Sequence, residues 1–142
     1  MKPRRRSTRG SAMLESTLVL TVFLMAFLEV LDIGQVMFFE AMLGDRARAG
    51  ARYAVVNTYD PTAIANVVAY NSPYSSGQSS GLFGLQPSMV TVNRYNAGVA
   101  GDRIEVIISN FPLAFAGPFV QGSYASRQFR AVLPAQSMGS LQ

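Results

Sequence analysis

The chain has 142 residues, no Cys, His or Trp, and a formal charge of +4, a length that suits one small domain plus an anchor. Without Cys a disulfide scaffold and thiolate metal sites are excluded, and without His as well neither a nucleophilic triad nor a zinc centre is expected. The positive charge does not mark a nucleic-acid face, because residues 1–10 hold five of the twelve Lys/Arg and no acid, leaving seven basic against eight acidic residues, or −1, in the remainder.

The basic head (Lys2, Arg4, Arg5, Arg6, Arg9) is followed by an uncharged apolar run over residues 16–28. That order is the pattern of a segment handed to a membrane translocase, with its Lys/Arg end left in the cytoplasm. An ordinary secretory signal ends in a small-residue site beyond its apolar core and has no use for a carboxylate at its head. Here Gly10 sits at the junction of charge and apolar run, and Glu15 follows five residues later. This G-x-x-x-x-E arrangement resembles the processing site of type IV prepilins and their relatives. The resemblance implies a cut after Gly10 on the cytoplasmic side, Ser11 as the new N-terminus, Glu15 as the fifth mature residue, and retention of the apolar helix. The alternative is an uncleaved signal-anchor.

From Ala12 to about Val56 nothing breaks a helix except single glycines at 34, 44 and 50. Such a helix is about 65–70 Å long, twice a bilayer core. A membrane span is expected at about residues 13–37, which includes Glu29 and Asp32. A carboxylate near a bilayer centre costs about 3 kcal/mol. At 100° per residue Glu15, Glu29 and Glu40 fall within about 40° of one another, with Asp32 further round. Either this stripe (Glu29, Asp32, Glu40) faces a partner helix that supplies donors, or Glu29 and Asp32 are wetted at the outer interface. Further on, Gly44, Ala47, Ala51 and Ala54 recur at three- and four-residue spacing, a smooth stripe that admits another backbone closely. Arg48 and Arg52 lie on a different face, solvated, with Asp45 one turn before Arg48.

The basic head, the Gly10/Glu15 pair, the midsection of Glu29, Asp32, Ile33 and Gly34, and the run Ala47 to Ala54 containing Gly50, Ala51, Arg52 and Tyr53 together resemble the TadE-like family. These are pseudopilins of the tight-adherence (Tad) pilus machinery, and the likeness covers roughly residues 4–56. It implies a prepilin peptidase, other pilus subunits and an inner-membrane assembly platform as partners, and an assembly role for Glu15 opposite a neighbouring subunit's N-terminal amine. Ser16 after Glu15, and the ~85 residues beyond the helix, depart from the major pilin and favour a minor, pseudopilin role.

Beyond the helix, Asp60 followed by Pro61 is a helix start, with Ile64, Val67 and Val68 on one face through residue 70. Residues 71–88 are Ser/Gly-rich with two prolines and read as a mobile loop. Strands are expected over residues 89–95 and 103–109, joined by a hairpin connection at 96–102, and over 124–133. Residues 110–120 are apolar and broken by proline, either a loop folded on the sheet or an exposed patch for a neighbour or membrane surface.

The expected architecture is therefore α+β. A leader (1–10) precedes a long membrane-spanning helix (11–57) and a small extracytoplasmic domain (58–142) with one short helix and about three antiparallel strands. No catalytic, cofactor or metal residues are expected, since Asp60, Asp102 and Glu105 are too scattered for an acid/base pair or a metal cage. The implied function is structural, a single-pass protein of the cytoplasmic membrane that takes part in building an adhesive pilus, with no nucleic acid or small-molecule substrate. The alternative is an uncleaved single-pass protein whose outer domain binds a ligand.

Overall fold

The computed structural model describes residues 8–75, 77, 80–115, 117, 119–120 and 122–135, so residues 1–7 of the basic head lie outside the described residues. Its spine is α1, Thr8–Val56, an uninterrupted helix of 49 residues and about 73 Å. No proline interrupts it, and its isolated glycines cost only about 1 kcal/mol each relative to alanine. The segment Gly10–Val56 is long and apolar enough to cross a membrane by length and composition. From Met13 to Leu28 almost every side chain is exposed, and Thr17 and Thr21 donate their hydroxyls to carbonyls one turn earlier at 2.8 Å.

The outer half of α1 carries the rest of the chain. The second helix, α2 (Pro61–Tyr70), begins as expected, with the Asp60 carboxylate accepting from the N–H groups of Thr62 and Ala63 at 2.9 and 3.3 Å. It ends at Asn71, which takes the left-handed conformation (φ 58°) that closes a helix. Ile64 and Val68 are fully buried against α1.

Three strands, β1 (Val90–Tyr95), β2 (Arg103–Ile108) and β5 (Phe129–Pro134), form an antiparallel sheet in the order β1-β2-β5. The alternation of β2 puts Ile104, Val106 and Ile108 into the core with Phe129 from β5. A separate hairpin pairs β3 (Pro112–Phe115) with β4 (Gly122–Ala125).

Two expectations are corrected. There are five strands in two sheets among the described residues, because the segment expected as a single strand over 124–133 is two, and Pro112–Phe115, within the segment expected as a loop or patch, forms another. The chain changes sheets at residues 126–128, where the Ser126 N–H bonds back to the Phe111 carbonyl at 2.7 Å. The loop at 71–88 is also more built than its Ser/Gly content suggests: Leu85 is fully buried, and Phe83 sets its ring edge-on to Phe38 and Phe39 at 5.8 and 5.4 Å. The apolar residues Leu82, Phe83 and Leu85 anchor its second half, while residues 76, 78 and 79 lie outside the described residues.

Candidate functional site

The face of α1 that receives the domain is defined by Leu43, Ala47, Gly50, Ala51 and Ala54, all buried. At 3.6 residues per turn these positions and Glu29, Asp32 and Glu40 all fall in one sector about 100° wide. The acids thus continue the domain-bearing face toward the N-terminus. Small residues on this face let α2 and β2 approach: a Cβ on Gly50 would collide with the Val68 side chain. Gly44, expected in the same stripe, meets nothing within 4 Å of an added Cβ, so the close contact is made at Gly50 instead. The backbone admitted by the stripe belongs to this chain's own domain.

The hairpin β3–β4 reaches down α1 and places its tip against the acids. The Gly117 N–H donates to Asp32 Oδ2 at 2.7 Å, and the Phe119 and Val120 N–H groups donate to Glu29 Oε1 at 2.8 and 3.4 Å. Asp32 is buried, and a buried carboxylate is tolerable only when donors surround it. Backbone amides serve well, since hydrogen bonds to an ionised acceptor are about twice as strong as neutral ones. The approach is close at Gly117, where an added Cβ would meet the carboxylate ends of Glu29 and Asp32, flexible termini that would have to shift. One helical turn past Val36, Glu40 pairs with Arg127 at 3.2 Å, and that guanidinium also lies over the Phe129 ring at 5.5 Å.

Among the described residues, Gly117, Phe119, Val120 and Arg127 of the same chain donate to Glu29, Asp32 and Glu40; a donor-bearing partner helix is one of the two readings of the sequence. Residues 110–120 divide between both of theirs: Phe111 is buried in the core, and Phe119 at the tip is 74% exposed. Sequence reasoning missed Gly117 and Arg127, although the shared helical sector of the acids and the small residues was there to be read.

The remaining expected residues stand apart from this contact. Glu15 is exposed on the bare half of α1, as are Gly10 and Ser11. A Cβ on Gly10 would meet nothing within 4 Å, so packing among the described residues gives no reason for glycine there. Arg48 bonds Asp45 at 2.8 Å in an exposed pair.

At the far end of the domain two further carboxylates pin the main sheet. Asp102 accepts from Arg94 at 3.0 and 2.5 Å and from the Gly98 N–H at 2.9 Å, and the Arg94 bond and the Gly98 bond hold its carboxyl down to about 2. Burial pushes the Glu105 carboxyl up, but the Tyr95 hydroxyl at 2.9 Å, Asn93 and the Arg130 guanidinium outweigh it and leave the carboxyl below its ordinary value. Among the described residues no group of three or more His, Cys, Asp or Glu is placed to hold a metal ion.

No protein-family model matches this chain, and no curated protein or solved structure matches it significantly.

Proposed function

We propose that this chain is a TadE-like pseudopilin, a minor pilin of a Tad-type (type IVc) adhesive pilus. It enters the cytoplasmic membrane with residues 1–10 inside and its domain outside, as a single-pass protein. A prepilin peptidase trims it after Gly10, and the exposed apolar half of α1 then packs among other pilus subunits. The observation that carries this reading is the head of α1. A glycine with no packing role among the described residues separates five basic residues from an apolar stretch of helix, Met13 to Leu28, whose side chains are almost all exposed.

Glu15 supports the same reading. It lies on the bare half, where a carboxylate transferred to a membrane or filament interior needs a donor. A neighbouring subunit's amine at Ser11 would supply one. Glu15→Ala should leave insertion and trimming intact but impair piliation when it replaces the wild-type copy. Normal piliation with that variant would remove the assembly role. Gly10→Val should block trimming, and a reporter fused after Gln142 should be active only outside the cytoplasm.

A further inference from the structure

We infer that the β3–β4 hairpin tip is a lipid-contacting element, seated at the outer acyl–headgroup boundary beside α1 with Phe119 and Val120 against phospholipid. The inference rests on the membrane-spanning reading of α1 proposed above. Counted from Met13, a hydrocarbon core of about 30 Å is used up near residue 33, at 1.5 Å per residue. Glu29 and Asp32 lie about 24 and 28 Å along that path, still inside its outer edge. The tip amides bonded to them at 2.7–3.4 Å lie at the same depth.

Two costs cancel in this arrangement. Carboxylates at that depth need donors, and the backbone N–H groups of a loop at that depth need acceptors. Glu29 and Asp32 satisfy Gly117, Phe119 and Val120, and are satisfied by them. Among the described residues of the tip, the large exposed side chains are apolar: Phe119 is 74% exposed and Val120 41%. At the same level α1 itself exposes Val30, Leu31 and Ile33 around its circumference. Because the tip lies at the depth of the outer hydrocarbon edge, lipid is the occupant that these exposed apolar side chains meet.

The chain has no Trp, so single substitutions give clean reporters. The test uses the full chain with Phe119→Trp in phosphatidylcholine/phosphatidylglycerol vesicles, with nitroxide-labelled lipids carrying the label either near the headgroup or near the acyl end. Phe23→Trp reports the span. Val99→Trp reports the far end of the domain, beside Ala54 and about 38 Å further along α1 than Glu29. The expected result is loss of Phe119→Trp emission chiefly to the shallow label, loss of Phe23→Trp emission to the deep label, and no loss for Val99→Trp. Adding Glu29→Ala and Asp32→Ala, which removes the acceptors of the tip amides, should release the tip and restore the Phe119→Trp emission. If Phe23→Trp is quenched but Phe119→Trp is not, the tip stays in water and this inference is overturned while the span survives. If Phe23→Trp is unquenched by either label, the spanning reading fails and takes this inference with it.

Discussion

The two halves of α1 are one helix with opposite surroundings. Toward the N-terminus, large apolar side chains such as Leu20, Phe23 and Phe27 stand exposed all round. Toward the C-terminus, Ala47, Ala51 and Ala54 are buried under the domain, while Arg48 and Arg52 keep the opposite side in water. Size, more than hydrophobicity, separates them: alanine and glycine let α2 and β2 come close, and among the described residues nothing packs on the leucine-rich stretch from Met13 to Leu28. The acids Glu29, Asp32 and Glu40 mark the transition, where the domain meets the helix through hydrogen bonds and an ion pair.

The largest difference between the halves should appear in paired truncations. Leu43→Ala empties a fully buried site and should cost about 2–5 kcal/mol of domain stability. Leu20→Ala, on the bare half, should change it by less than about 0.5 kcal/mol. Denaturant unfolding in detergent, followed through the tyrosines of the domain, measures both. Equal effects would mean that the halves are not energetically distinct.

At the transition, Asp32→Ala should cost about 1–3 kcal/mol, since it leaves the buried Gly117 N–H without its carboxylate acceptor. Local hydrogen exchange at Phe119 and Val120 should rise with it. If exchange there is unchanged, the carboxylates do not hold the tip.

A third comparison is between the acids at the transition and those at the far end. The folded Asp102 carboxyl lies at about 2 against an ordinary 3.8, and Glu105 lies below its ordinary 4.5. A carboxyl depressed by folding contributes stability above its unfolded value and loses it as the pH falls through its folded value. The domain should therefore hold its melting temperature above about pH 4.5 and lose it progressively toward pH 2. Asp102→Asn should flatten part of that fall. A variant with an unaltered acid limb would show that Asp102 is not the linked group.

Among the contacts that join the domain to α1, the smallest effect belongs to the exposed pair of Glu40 and Arg127. Arg127→Ala should cost no more than about 1 kcal/mol, and less at high salt. A larger, salt-insensitive loss would point to packing of its stem on Phe129 instead.

Much of this arrangement was legible from residue types. The proline-free run to Val56, Asp60 before Pro61 and the alternation at Ile104, Val106 and Ile108 gave the helices and the central strand through local rules. The hairpin at 112–125 was not legible: four-residue strands carry little periodic signal, and proline at 112 argues against a strand. Its pairing is set by tertiary contact, through buried Phe111 above it and the Glu29–Asp32 carboxylates at its tip. The acids were recognised as needing donors, but backbone N–H groups some 85–91 residues away leave no mark in a side-chain pattern.

The central claim is that the bare half of α1 is delivered by a cleaved basic head. Intact-mass measurement of the protein extracted from membranes, with and without the host's prepilin peptidase, tests it directly. The expected result is a mature chain starting at Ser11 when the peptidase is present and the longer form when it is absent. A protein that keeps residues 1–10 in both strains would contradict the pseudopilin account and leave an uncleaved single-pass protein with an outer binding domain.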